Sequence, residues 1–158
     1  MSKIAPVSVS QLISLTNKMC AAGAGRPDDG VEYHLGSKAS SLNEDSGDIV
    51  EIDCSGFVRY TAAKCSNEEC ILPDGSVTIH EYLQSQGLPR VSYNGVKDDA
   101  ERLFIAFIAP THESGHVWWV QGGQTMESHG GDGVDCRPWD TPVLLNNVCA
   151  CYIFPSVA

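Results

Sequence analysis

His116-Val117-Trp118-Trp119-Val120-Gln121-Gly122-Gly123-Gln124-Thr125-Met126-Glu127-Ser128-His129 reads as a β-hairpin. Gly122-Gly123 supplies the two positive-φ residues that a tight two-residue turn needs. Closing the hairpin there pairs Gln121 with Gln124, Val120 with Thr125, Trp118 with Glu127 and His116 with His129. Residues directly opposite in such a pair hold their Cβ atoms about 5 Å apart, so the two histidines share one face at the open end. Val117, Trp119 and Met126 fall on the other face, which suits a core. The bland reading of His116 and His129 is two exposed edge histidines, and packing alone gives little reason to oppose them.

Around the hairpin the second half of the chain is rich in Val, Ile, Phe, Trp and Tyr. Leu103–Ile108, His116–Val120, Gln124–Ser128 and Val148–Phe154 are short β-type runs separated by Gly, Pro and Asn clusters. The first half is helical in pattern. Residues 8–22 carry Leu12, Leu15 and Met19 on one face, with Gly23 as the stop. Cys54 to about Lys64 forms a second helix, with Ile49 to Ile52 as a short extended approach to it. Thr78-Ile79-His80-Glu81 has the form of a capping box and opens a third helix that Gly87 ends. Helices first and an antiparallel sheet afterwards is an α+β order. With 158 residues, 1–158 reads as one domain with its own core. Residues 24–50 form a long Gly/Asp/Ser/Asn-rich loop containing an apolar island, Tyr33-His34-Leu35-Gly36. Loops of that length in a compact domain are often functional.

The sharpest chemical signal is Asp53-Cys54-Ser55-Gly56-Phe57-Val58, where the polar segment ends and the second helix begins. A helix N-terminus presents unpaired N–H groups and the positive end of the helix dipole, which favours a thiolate there. With that helix packed on the histidine face of the hairpin, His116 takes the thiol proton as base and His129 orients the His116 ring. The Cys54 backbone N–H is then available to an oxyanion. Asp53 is expected to cap the helix. The bland reading of Cys54 is a small, buried, inert side chain.

Composition narrows the function classes. Apolar residues make up 42% and charged ones 19%, as in globular proteins, and the formal net charge of −10 argues against nucleic acid as a partner. No stretch approaches the roughly 18 apolar residues of a membrane span. The N-terminus lacks the apolar core of a signal peptide. Seven cysteines are present: Cys20, Cys54, Cys65, Cys70, Cys136, Cys149 and Cys151. Leaving Cys54 free allows up to three disulfides in an oxidising compartment, with connectivity open; reduced thiols are the bland alternative. A zinc site from Cys65, Cys70, Cys149 and Cys151 ranks last, because the spacings do not match paired knuckles.

The motif Asp53-Cys54-Ser55-Gly56-Phe57-Val58, followed by Gly115-His116-Val117 and then Glu127-Ser128-His129-Gly130-Gly131-Asp132-Gly133-Val134, resembles the NlpC family of papain-like cysteine peptidases. The resemblance implies a minimal papain-like fold, with the helix carrying Cys54 packed on an antiparallel sheet. It implies Cys54 as nucleophile, His116 as base and His129 as third member. It also implies a substrate-contacting set of Tyr33, Asp53, Ser55 and Trp118. Such peptidases cleave peptidoglycan stem peptides, commonly between D-glutamate and a diamino acid, without a cofactor. A lone catalytic domain with no secretion signal is similar to amidase effectors delivered by type VI secretion into a target periplasm, and to phage lysis enzymes. The effector reading implies an immunity protein as a further partner.

Two other readings compete. His112-Glu113-Ser114-Gly115-His116 matches the zinc-peptidase pattern H-E-x-x-H, which needs both histidines on one helix. Pro110 before it, Gly115 inside it and the β-rich Val117–Val120 after it oppose a helix. A nonenzymatic wall-binding module is the third reading. His34 and His80 are expected at the surface. Of Trp118 and Trp119, one is expected in the core and the other lining the cleft, and Trp139 is expected over a core edge.

Overall fold

The computed structural model of the chain describes residues 4–20, 30–111 and 115–158. Its elements in chain order are β1 (Val7–Ser8), α1 (Val9–Cys20), α2 (Cys54–Lys64), α3 (Ser76–Ser85), β2 (Leu103–Ile108), β3 (His116–Gln121), β4 (Gln124–His129), β5 (Gly133–Asp135), α4 (Pro142–Leu145), β6 (Ala150–Phe154) and β7 (Ser156–Val157). Strands β2 to β6 form one sheet in the order β5-β4-β3-β2-β6, antiparallel at every pairing. The short β1 and β7 pair in parallel beside it. Helices therefore precede and cover an antiparallel sheet, the α+β arrangement expected from the sequence.

The hairpin closes at Gly122 and Gly123, whose φ values of 60° and 78° are the left-handed pair the turn requires. Its ladder runs Gln121↔Gln124, Val120↔Thr125 and Trp119↔Met126, the register read from the turn. Both faces of β3 are covered. Val117 and Trp119 join Cys54, Phe57 and Val58 of α2, Leu12 and Met19 of α1, and Ile105 and Phe107 of β2. Trp118 and Val120 pack on the opposite face with Phe104, Ala106, Tyr93, Val96 and Leu144. Neither tryptophan lines a cleft, because both are fully buried. Each indole withdraws on the order of 200 Å² from water, worth up to about 5 kcal/mol.

The second helix starts at Cys54 and ends at Lys64 as expected. The Gly23 stop expected for α1 lies outside the described residues. Helix α3 begins two residues earlier than Thr78, with Gly75 at the N-cap and no side-chain cap bond, so the Thr78/Glu81 capping box does not form. Thr78 falls inside the first turn, where its hydroxyl is past the orphan N–H groups it would have capped. His80 is not a surface group: its Nε2 lies 2.8 Å from the Tyr152 hydroxyl and its ring stacks on Phe107 at 4.6 Å. Trp139 does pack at a core edge, and its carbonyl accepts from the Tyr93 hydroxyl at 2.7 Å.

Residues 30–53 are anchored rather than loose along the α2 side of the sheet. Glu32 and Glu51 form a parallel bridge, and Val134 N–H donates to the Val31 carbonyl at 3.0 Å. That approach depends on Gly133, at φ +75°, where a Cβ would lie 2.2 Å from the Val31 oxygen. The docking brings Tyr33 to the open end of the hairpin. Among the described residues no helix is long and apolar enough to cross a membrane.

Candidate active site

Asp53 is the N-cap of α2, and its Oδ1 accepts from the Gly56 N–H at 2.7 Å. The carboxylate is itself held by Lys38, whose Nζ reaches both oxygens at 2.7 and 2.6 Å, and by the Gly36 N–H at 3.1 Å. Lys38 also donates to Ser55 Oγ at 2.8 Å and pairs with Asp74 at 3.1 Å. Cys54 follows as the first residue of the helix, where its side chain meets the positive end of the dipole.

Helix α2 packs on the Val117/Trp119/Met126 face of the hairpin, and Trp119 Nε1 donates to Thr61 Oγ1 at 2.9 Å. The expectation that the helix lies on the histidine face is therefore corrected. Cys54 instead meets His116 where β3 begins. Its Sγ is 3.9 Å from the Gly115 carbonyl, and the thiol is close enough to the His116 ring to push that ring's pKa upward.

His116 donates from Nε2 to Glu127 Oε1 at 2.8 Å, which leaves Nδ1 as the ring nitrogen for Cys54. Its ring stacks over Trp118 at 5.2 Å and 21°. Glu127 is fully buried. Arg137 donates to it from Nη2 at 2.6 Å and from Nε at 2.9 Å, and the Thr125 hydroxyl donates to Oε2. Burial alone would lower the His116 pKa, but the bonds and charges of Cys54 and Glu127 outweigh it and raise it to about 9. Burial would likewise raise Glu127, and His116, Arg137 and Thr125 together bring it down to about 2. The arrangement is a buried anion, an imidazole that prefers the charged form, and a thiol at a helix N-terminus.

His129 is not the group that His116 meets. Its Nε2 is 2.9 Å from Asp135 Oδ2 and 3.9 Å from Asp132 Oδ2. The partner expected from direct opposition is replaced by the diagonal residue, Glu127. Sequence reasoning missed Glu127, Arg137, Thr125 and Lys38. The available signal was that Glu127 shares the His116 face two positions from direct opposition, within reach of a long side chain.

The other expected site residues separate. Tyr33 lines a cleft of ≈ 670 Å³ together with Leu35, His116, His129, Arg137 and Val143. Burial, then the neighbouring Cys54 and Asp53, push its hydroxyl up to about 12. Asp53 and Ser55 are each only 4% exposed and are occupied with the cap and Lys38, so neither faces the cleft. Trp118 supports the His116 ring from below, buried, with Nε1 donating to Tyr93.

For metals, His112 and Glu113 lie outside the described residues, and His116 opens strand β3, whereas H-E-x-x-H chemistry needs its second histidine on a helix. Cys65 and Cys70 belong to one core cluster and Cys151 to the cluster across the sheet, which breaks up the cysteine zinc site. His129, Asp132 and Asp135 bring ligand atoms within 4.8 Å of one another, although Asp132 is 72% exposed. The described cysteines are all free thiols, and Cys20 and Cys136 are close enough to shift each other's pKa.

No family model matches the sequence, and no curated protein matches it. Solved structures do. An NlpC/P60 family protein from Bacillus cereus superposes with a TM-score of 0.61 at 19% identity, covering 94% of this chain and 41% of that one. A protein from Staphylococcus aureus described as similar to lipoprotein, NLP/P60 family, gives 0.60 at 12% identity, covering 99% and 45%. The chain thus has an NlpC/P60-type fold and spans less than half the length of either structure.

Proposed function

We propose that the protein is a cysteine peptidase or amidase that hydrolyses amide bonds in peptidoglycan stem peptides through Cys54, His116 and Glu127. The observation that carries this reading is the placement of the Cys54 thiol beside His116, whose ring donates to the buried Glu127 carboxylate at 2.8 Å. His116 takes the Cys54 proton, giving a thiolate–imidazolium pair, and Glu127 stabilises the cation and fixes the ring. The thiolate attacks the amide carbonyl carbon, and the oxyanion meets the Cys54 N–H at the helix start. The imidazolium gives its proton to the leaving nitrogen as the C–N bond breaks, leaving a thioester. His116 then takes a proton from water, which attacks the thioester and releases the acid and the thiol group.

The resemblance of the Asp53–Val58, Gly115–Val117 and Glu127–Val134 motifs to NlpC-type peptidases, together with the fold, supports the D-glutamyl–diamino acid bond of the stem peptide as the substrate. Action on a wall places the working compartment outside the cytoplasm, by type VI delivery or during phage lysis, with an immunity protein as the partner expected for the former. Mass analysis of muropeptides tests the activity: new fragments with the wild type and none with Cys54→Ala support it, and intact stem peptides from both overturn it. Cys54→Ala also decides the wall-binding alternative, since a module that only binds would keep its biological effect. The compartment is tested by directing the chain to the periplasm or leaving it in the cytoplasm of a bacterial host. Lysis by the wild type in the periplasm alone is the expected result.

A further inference from the structure

We infer that Arg137 is a positioning residue that keeps Glu127 ionised and aimed at His116, and so sets the acid limit of the Cys54–His116 pair. The inference rests on the reading of Cys54, His116 and Glu127 as the reacting set. Glu127 is fully enclosed, and a carboxylate without water or partners would take up a proton. Arg137 meets it with a fork: Nη2 on Oε1 and Nε on Oε2. Oε1 is also the oxygen that accepts from His116, so the guanidinium fixes the atom on which the imidazole depends. A planar fork sets both oxygens at once, which a lysine ammonium cannot do.

Arg137 is itself fixed from β4. Its backbone N–H donates to Thr125 Oγ1 at 2.8 Å, its carbonyl accepts from the Thr125 N–H at 2.7 Å, and the Thr125 hydroxyl completes the shell of Glu127. The charged and titratable groups around Glu127 are His116 from β3, Asp135 from β5, Arg137 and Cys136 from the segment after β5, and Tyr93 from the opposite cover of the sheet. Burial, chiefly, holds the Tyr93 hydroxyl well above its ordinary value, so it stays neutral and adds no further anion near Glu127. Arg137 is thus the permanent charge that lets a carboxylate survive in this place. Once it is lost, Glu127 is protonated at higher pH. The imidazolium then loses its counter-ion, and the thiolate–imidazolium pair collapses from the acid side.

The experiment follows the rate of Cys54 alkylation by iodoacetamide against pH, read by mass spectrometry of the Cys54 peptide, so that it needs no peptidase substrate. It uses the wild type, Arg137→Gln, Arg137→Lys, Glu127→Gln and the Glu127→Gln/Arg137→Gln double variant. The expected result for Arg137→Gln is an acid edge moved up by about one pH unit or more, with Arg137→Lys in between. In the Glu127→Gln background, adding Arg137→Gln should change the rate by less than about twofold, since its effect runs through the missing carboxylate. If Arg137→Gln does not fold, judged by circular dichroism, the lysine variant carries the test. An acid edge that coincides with that of the wild type in a folded Arg137 variant overturns the inference, as do losses that multiply in the double variant. Muropeptide hydrolysis measured in parallel separates the two readings. A moved edge without hydrolysis by the wild type would sink the peptidase and leave the role of Arg137 standing. Hydrolysis with an unmoved edge would do the reverse.

Discussion

His116 Nε2 lies 2.8 Å from Glu127 Oε1, although the hairpin register carried past its last formed pair would set His129 opposite His116. The β3–β4 ladder stops at Trp119↔Met126, and from Glu127 onward β4 pairs with β5, through Glu127↔Asp135, Ser128↔Val134 and His129↔Gly133. His129 thereby becomes a neighbour of Asp135 and Asp132. The twist of antiparallel strands brings one diagonal pair together at the expense of the other, and here the favoured diagonal joins His116 to Glu127.

Exchanging the two candidate partners should therefore give unequal losses. Glu127→Gln keeps the shape but removes the charge that orients and stabilises His116, and kcat is expected to fall on the order of 10²-fold or more. His129→Ala removes a cleft-lining ring bonded to Asp135 and should cost kcat less than about tenfold. Steady-state kinetics on a purified stem-peptide substrate measure both. Equal losses, or a larger one at His129, would contradict the geometry.

The same pair sets a pH window with a definite sign. His116 is raised from 6.5 to about 9, so its stabilising charge is fully present below 6.5 and is lost as pH climbs through about 9. Glu127 is lowered from 4.5 to about 2, so its contribution is complete above 4.5 and is lost as pH falls through about 2. Stability from the pair should plateau between about 4.5 and 6.5 and fall on both sides, which Tm against pH reads. The alkaline limb of kcat/KM is expected near 9, and Glu127→Gln should move it downward by withdrawing the anion that raises His116.

What the sequence made legible and what it hid divide along physical lines. The start of α2 was readable because a polar segment, a capping Asp53 and a helix-compatible run meet at one residue. The hairpin register was readable because Gly122-Gly123 admits few turns. The face on which α2 packs was not readable. Val117/Trp119 and Trp118/Val120 are equally apolar, and a strand buried on both sides carries no alternation to orient it. The His116 partner was hidden because direct opposition was assumed beyond the point where the ladder changes partner. Strand β5, three residues in a Gly/Asp-rich stretch, left no periodicity to detect.

Cys20 and Cys136 should form the disulfide that appears first on oxidation. They come from the end of α1 and the residue after β5, and each thiol acts on the other, pushing Cys20 up and drawing Cys136 down. Cys136 is then the thiol readier to attack a disulfide donor such as oxidised glutathione, giving a mixed disulfide that Cys20 resolves with release of glutathione thiol. Cys65, Cys70 and Cys151 are buried and pushed upward by that burial, to about 11, 12 and 12, and should remain reduced. Peptide mapping without reduction is expected to show the Cys20–Cys136 link and an unlinked Cys54. A link from Cys65, Cys70 or Cys151 in its place would contradict the placement of these thiols.

Gly115→Ala should damage the site through the backbone alone. A Cβ there would sit 2.5 Å from the Ile108 carbonyl oxygen, with Pro110 Cδ and Ser76 Oγ both at 3.2 Å. The carbonyl cannot swing aside freely, because Ile108 is paired with His116 across β2 and β3. The strain is relieved by displacing residues 115–116, which carry the carbonyl facing Cys54 Sγ and the imidazole bonded to Glu127. Overpacking of this kind costs about 1–3 kcal/mol, and a shift near 1 Å in a reacting group costs about 10²-fold in rate. Gly95→Ala is the control, since its Cβ would meet nothing within 4 Å. The expected outcome is a lowered Tm and a kcat reduced about 10²-fold for Gly115→Ala, with Gly95→Ala close to wild type in both. Wild-type kcat in a destabilised Gly115→Ala would mean that the position of this strand start does not govern the Cys54–His116 contact.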